Sequence, residues 1–368
     1  MSTQNNEIKI LENYVNDAVE LLKRLIATPR VSRDETAAAD IMEQTIRDYG
    51  YSPCRKGNNI WITSEDWDES LPTIMLNAHI DTVKPVSTWP RDPFTPTIEG
   101  DRLYGLGSND CGGGLVSLLQ VFRIMHDSQC TTHNKPPYNL IYLASCEEEV
   151  SGAGGIRSVL KPTENGIGDE SFVAIVGEPT GMQPAIAERG LMVIDGTAHG
   201  KSGHAARNEG VNAIYEALDD LVFIRDYKFE KVSDLLGPTK MQCTVVNSGT
   251  QHNVVPDECK FIIDVRTNEH YTNEEVFDFL QGKLKSDLKA RSFHLHSSSI
   301  PREHPLIQRC IEMGMEPFGS PTLSDQALMR FPSFKLGPGE SSRSHSADEY
   351  ICISEIRDAI EKYLKLLG

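Results

Sequence analysis

Thr73-Ile74-Met75-Leu76-Asn77-Ala78-His79-Ile80-Asp81 is the stretch from which the rest of the sequence can be read. A half-exposed strand would alternate polar and apolar residues. A short, continuous apolar run instead suits a strand covered on both faces. This run ends in a histidine and an aspartate. Two further runs have the same character. Residues 139–144 lead to Glu147-Glu148-Glu149, and residues 172–176 lead to Gly177-Glu178-Pro179-Thr180. A fourth strand is expected at 333–336, leading through Gly337-Pro338-Gly339 to His345.

Helical spacing of apolar residues surrounds these strands. Ile10, Tyr14, Ala18, Leu21, Leu22 and Leu25 predict a helix over 7–27. A second is expected over 35–49, stopped by Gly50. Leu115, Leu118, Leu119, Phe122 and Met125 give the inner face of a helix that follows Asp110, and another closes the chain over 354–367. This is an α/β pattern, with a mostly parallel central sheet flanked by helices. Residues 185–296 read differently, as strands at 191–198, 241–246, 259–267 and 291–296 with helices at 211–225 and 273–288. The order β-α-β-β-α-β is that of a split-βαβ, ferredoxin-like module. Gly and Pro cluster at 177–184 and 299–305. The expected organisation is one domain of 1–184 and 297–368, with 185–296 inserted into it.

Composition narrows the function. The 368 residues carry 36 basic and 53 acidic side chains, a formal charge of −17. Such a field repels phosphate backbones and anionic lipid, so neither nucleic acid nor membrane is an expected partner. No apolar run reaches transmembrane length, and the polar first ten residues lack a signal-peptide core. Eight cysteines, at 54, 111, 130, 146, 243, 259, 310 and 352, form no Cys-x-x-Cys pair. They read as reduced thiols of a cytoplasmic protein, with Cys111 and Cys146 as packing residues. Any metal is then held by nitrogen and oxygen. His126, His133, His294 and His296 read as surface residues.

In open α/β sheets, ligands bind beyond the carboxyl ends of the strands. Here four strands deliver His79, Glu149, Glu178 and His345 to one such edge. Asp110 joins them, placed just before Gly112-Gly113-Gly114, where the backbone can approach closely. Two histidines and three carboxylates suffice for two divalent ions sharing one bridging carboxylate and a water. Ions about 3.5–4 Å apart can polarise a carbonyl and supply hydroxide near neutral pH. One carboxylate of the acidic triplet is left over as a general base.

At these residues the chain resembles the co-catalytic zinc hydrolases that include acetylornithine deacetylase, succinyl-diaminopimelate desuccinylase, aminoacylase and glutamate carboxypeptidase. The motifs are His-x-Asp after a strand, Gly-x-x-x-Asp before a Gly-rich turn, a paired Glu, Gly-Glu-Pro-Thr and a late His. The resemblance covers nearly the whole chain. It implies two zinc ions, with cobalt or manganese as possible substitutes. His79 and Glu178 would hold one, Glu149 and His345 the other, and Asp110 would bridge them. Glu148 would be the general base, and Asp81 would orient the His79 ring. A cis bond is implied at Asp110–Cys111. In the inserted module, His204 of Gly200-Lys201-Ser202-Gly203-His204 would reach the active site of a partner subunit. There it would steady the oxyanion. Asn253 and Arg266 would contact the substrate carboxylate. A homodimer through the inserted domain follows.

The implied reaction is hydrolysis of the amide of an N-acyl amino acid. The overall look is closest to the acetylornithine deacetylases of arginine biosynthesis, acting on N2-acetylornithine or a related acetyl or succinyl compound. Desuccinylation of succinyl-diaminopimelate, dipeptidase or carboxypeptidase activity, and a non-catalytic metal-binding scaffold are the alternatives. Two departures stand out. Cys111-Gly112-Gly113 replaces the common Met-Lys-Gly, and Glu147 replaces an Asp, so Glu147 and Glu148 could exchange roles. The alignment of Glu149 with Val150-Ser151-x-Ala153-Gly154 favours Glu148.

Overall fold

The computed structural model describes residues 2–126, 137–161, 166–207 and 209–368, with side chains from residue 9 onward. Among them the chain forms two compact units. The first runs up to Ile186 and resumes over Ile300–Phe318 and Ser324–Gly368. The second is Ala187–Ser299 with Gly319–Leu323.

At the centre of the first unit lie four parallel strands, in the order Asn139–Ser145, Thr73–His79, Phe172–Val176 and Ser333–Lys335. Every residue of Thr73–His79 and Asn139–Ser145 is buried, as their unbroken apolar character requires. The flanking strands run antiparallel: Asn59–Thr63 beside Asn139–Ser145, and Ala185 beside Lys335. The sheet is thus mixed, parallel only where its strand ends gather the candidate ligands.

Ile74, Leu76, Tyr142, Ala144 and Ile175 face one way. They pack with Leu22 and Leu25 of helix Ser2–Ile26, with Leu115, Leu118 and Phe122 of Gly113–His126, and with Ile360 and Tyr363 of Ile353–Leu367. Met75, Ile141, Leu143, Ala174 and Val176 face the other way, onto Ile156, Val159, Leu160, Met329 and Phe331. These sit in single turns and loops. The first helix begins at Ser2, earlier than its apolar spacing indicated. His126 is half-buried, its ring stacked 4.3 Å from that of Phe122. His294 is exposed and His296 half-buried. His133 and Cys130 lie outside the described residues.

The second unit holds a sheet in the order Lys240–Ser248, Glu258–Arg266, Met192–His199, Asp287–Ala290, every pair antiparallel. Helices Ala213–Asp226 and Asn273–Gln281 pack on it through Ala213, Ala217, Ile224, Val276 and Leu280. In chain order the strands lie 2-3-1-4, the split-βαβ arrangement. Two expected boundaries move. The second helix ends at Gln281 instead of 288, and the last strand is Asp287–Ala290 instead of 291–296. Gly282 follows the helix, where a glycine readily ends it. The Asp220 carboxylate then accepts the N–H groups of Lys285 at 3.0 Å and Ser286 at 2.9 Å. Those amides are drawn out of any continuing helix, and pairing with Met192–His199 begins one residue later.

Gly114 marks the tightest joint between helix and sheet. A Cβ there would lie 1.8 Å from the carbonyl oxygen of Gly177, the residue before Glu178. Gly114→Ala must push helix and strand end apart. It is expected to cost about 1–3 kcal/mol, as other overpacked core sites do. Thermal or urea unfolding checks this, and an unchanged midpoint contradicts it.

Candidate active site

The strand ends bring five side chains of the first unit together. His79 closes strand Thr73–His79 and is buried. Its Nδ1 lies 2.9 Å from the main-chain carbonyl oxygen of Asp81. A carbonyl can only accept, so Nδ1 carries the proton. The other ring nitrogen, Nε2, faces Asp110 Oδ1 at 3.2 Å and Glu178 Oε1 at 3.7 Å. The other oxygen of Asp110 lies 3.6 Å from Nε2 of His345. That nitrogen is also 3.0 Å from Glu149 Oε2. Asp110 therefore presents one oxygen to each histidine, and each histidine has one further carboxylate.

Asp81 acts differently from the sequence expectation. Its carbonyl, not its carboxylate, takes the imidazole N–H; the nearest carboxylate oxygen stands 3.6 Å from Nδ1. The carboxylate accepts from the Ser32 hydroxyl at 2.6 Å and from the N–H groups of Glu148 at 3.1 Å and Glu149 at 3.3 Å. It so fastens the acidic triplet to the His79 strand end. The triplet itself splits three ways. Glu147 has a left-handed φ of 53°, and its carboxylate turns back to accept the Gly154 N–H. Glu149 meets His345. The Glu148 carboxyl is set among His79, Glu178 and Asp325.

The turn bearing Asp110 contains a cis peptide bond between Asp110 and Cys111. The buried Glu349 carboxylate accepts the N–H groups of Gly107 at 3.0 Å, Asn109 at 2.9 Å and Asp110 at 2.8 Å. Sequence reasoning met Glu349 only as part of the Asp-Glu-Tyr that follows His345. It missed Asp325 altogether, a buried carboxylate that accepts from the Ser145 hydroxyl at the end of strand Asn139–Ser145. No motif announces it. Cys111 packs beneath the site, its sulfur accepting the His79 N–H at 3.1 Å, and burial pushes its thiol up to about 12.

Electrostatics expose what these groups need. Burial, then the charge of Asp110, pushes Glu178 up to about 8. Burial likewise raises Glu148 well above the usual carboxylate range, and Asp325 to about 6. Glu178 Oε1 is buried and accepts no hydrogen bond among the described residues. Two imidazoles and three carboxylates thus face one another, and Glu149 and Asp110 draw a proton onto His345, which is pushed up to about 9. Divalent cations satisfy all of them at once, and the nitrogen and oxygen donor set is one that zinc, cobalt or manganese accepts. The residues fit a pair of such ions.

The other expected site residues lie in the second unit. His204 and Asn253 sit beside each other. His204 pairs with Val254 across two short strands, and the Asn253 carbonyl accepts the Ala205 N–H at 3.1 Å. Both side chains are exposed. The His204 ring accepts the Ala206 N–H through Nδ1 at 3.2 Å. Arg266, at the end of strand Glu258–Arg266, forks onto Asp264 at 2.9 and 3.1 Å.

Known proteins of this build share the whole chain's length. Acetylornithine deacetylase of Klebsiella pneumoniae (strain 342) is 28% identical over 374 residues, covering 93% of this chain and 94% of its own. That of Shigella sonnei (strain Ss046) is 26% identical over 394 residues, covering 97% and 98%. Among solved structures, aminopeptidase PepT from Bacillus cereus superposes with a TM-score of 0.73 at 17% identity, covering 96% of this chain and 98% of that one. Bacillus subtilis YXEP, described as a dinuclear metal binding peptidase from the M20 family, gives 0.68 at 13% identity, covering 97% and 98%. The profile of peptidase family M20/M25/M40 matches residues 75–368, a span that holds all five converging side chains, and the chain belongs to that family.

Proposed function

We propose that this protein is a two-zinc amidohydrolase that removes the acyl group from the α-nitrogen of a small amino acid, N2-acetylornithine foremost. One observation carries the reading: the two oxygens of Asp110 face two different histidines, each with one more carboxylate beside it. In this reading His79 and Glu178 hold one ion, Glu149 and His345 the other, and Asp110 joins the two. The ions would polarise the scissile carbonyl and acidify a water. Cobalt or manganese could stand in for zinc.

Glu148 is the proton carrier. Its carboxylate accepts a proton from the attacking water and delivers it to the leaving nitrogen, so the amine departs neutral. The burial that raises its carboxyl suits it to both halves of that transfer. Asp81 keeps the His79 ring in one tautomer through its carbonyl, and holds Glu148 and Glu149 through its carboxylate. The similarity to acetylornithine deacetylases supports an acetylated amino acid over a peptide. A succinylated amino acid is the nearest second reading.

A homodimer through the inserted unit is part of the proposal. Val211, Ile214, Tyr215, Leu218 and Val222 form an exposed apolar stripe on and beside helix Ala213–Asp226, with Tyr215 68% exposed. Val245 and Val246 are exposed on Lys240–Ser248, the outermost strand of its sheet. Such a patch on an outer strand invites a second copy. His204 of one copy would then serve the other's active site. Arg266 would have to give up Asp264 to take a substrate carboxylate. The seven described cysteines with free thiols are consistent with a cytoplasmic enzyme.

Glu148→Gln is expected to retain two metals per chain and lose at least about 100-fold in kcat, the lower range for a proton-transfer group. Metal analysis with steady-state kinetics checks it, and near-normal turnover refutes the base role. A panel of N2-acetylornithine, N-acetylcitrulline, their succinyl analogues and simple dipeptides should show the highest kcat/KM for an acetylated amino acid. Preference for dipeptides would reassign the enzyme as a peptidase. Mixing His204→Ala with Glu148→Gln protein should recover activity that neither has alone. Absence of recovery speaks against sharing between subunits.

A further inference from the structure

Arg30 was no candidate in the sequence, yet it is among the largest fully buried side chains of the described residues. Among the described residues its guanidinium hydrogen-bonds to carbonyls and to no carboxylate. Nη1 donates to the carbonyl of Ile80, the residue between His79 and Asp81, and Nη2 donates to the carbonyl of Gly107 at 2.8 Å. Gly107 sits three residues before Asp110, with a left-handed φ of 72°. A Cβ on it would lie 2.4 Å from Thr82 Cγ2 and 2.5 Å from Arg30 Nη2. The planar fork thus bridges two loops that each carry a metal-facing side chain, with no space left between them.

The arginine is itself anchored. Its carbonyl accepts the Thr82 N–H at 2.9 Å, and Ser32 two residues on bonds the Asp81 carboxylate. On the far side of the turn, Glu349 takes the N–H of the same Gly107. One peptide turn is therefore gripped through its carbonyl by a cation and through its amides by an anion. Burial works against the Arg30 charge; the surrounding Glu349, Asp81 and Asp110 work for it. Nε makes no hydrogen bond among the described residues, so a buried donor is left unsatisfied. A side chain kept only for stability would not be chosen on those terms, because an apolar residue of similar volume costs less there.

We propose that Arg30 is a positioning residue of the metal centre: its fork sets the spacing between the His79 strand end and the turn that presents Asp110. This rests on the two-metal reading above. Geometry and charge make opposite demands here, which makes the inference testable. Removing a positive charge near the site should tighten metal binding; removing the fork should loosen it.

Two variants, Arg30→Lys and Arg30→Met, are compared with wild type in the full-length protein. Zinc affinity is read by chelator competition, and the rise in Tm on adding zinc is read for each. Arg30→Lys keeps the charge, but one ammonium cannot reach both carbonyls. It should bind zinc about 10–100-fold more weakly, the usual effect of losing a partner that orients a ligand. Its zinc-induced rise in Tm should shrink. Arg30→Met loses the fork as well, so it too should bind more weakly than wild type although it has shed the charge. Wild-type affinity in Arg30→Lys, or tighter binding in Arg30→Met, overturns the proposal, as does an equal fall in Tm with and without zinc. A variant that folds only in excess zinc bears it out; one that zinc does not rescue overturns it. Wild-type protein that takes up no zinc sinks the two-metal reading instead.

Discussion

Like charges gathered out of water must be neutralised. Asp110, Glu148, Glu149 and Glu178 lie within a few residues' reach of two imidazoles, at the end of a sheet whose central strands are wholly buried. In that low-dielectric setting burial pushes the carboxyls of Glu148 and Glu178 toward binding a proton. Divalent cations are the other remedy, and one ion can engage a ring nitrogen and its neighbouring carboxylate together. The surrounding architecture serves to hold that unfavourable gathering in place. The parallel strands end together, helix Gly113–His126 packs without clearance against Gly177, and main-chain amides are spent on Asp81 and Glu349 rather than on one another.

The anchoring has a clear division of labour. Asp81 ties the loop of His79 to that of Glu149. Arg30 ties it to the turn of Asp110, and Glu349 ties that turn to the segment following His345. Each link is a charged side chain bonded to backbone, so it fixes the course of a loop rather than the rotamer of a neighbour. Loops carry function but are the mobile part of most folds. Here four of the five segments that bear the proposed ligands are stapled to one another by groups outside that proposed set.

Much of this could be read from the sequence, for a specific reason. Buried parallel strands must be continuously apolar, so Thr73–His79 and Asn139–Ser145 announce themselves, and residues at their carboxyl ends inherit a common edge. The ligand candidates needed only that topology. What could not be read was whatever depends on side chains meeting backbone. Glu349 and Arg30 are distant in sequence from the turn they hold, and nothing in their local spacing reports a main-chain partner. Asp81 was legible as a helper of His79 but not in its means, since a carbonyl carries no sequence signal. The end of helix Asn273–Gln281 was missed likewise, because Asp220, over sixty residues earlier, captures the amides that would have continued it.

The first unit is interrupted in sequence by the second, and this bears on how the chain is made. A growing polypeptide emerges from the ribosome in order and folds in the units it has completed. Residues 187–299 can finish their own sheet while the first unit still lacks strand Ser333–Lys335, His345 and Glu349. Until those later segments arrive, the Asp110 turn has its cationic clasp but not its anionic one, and only His79 of the two imidazoles is at hand. With the ligand set proposed above, the centre is therefore completed only after the inserted unit has been made, by residues 333–349.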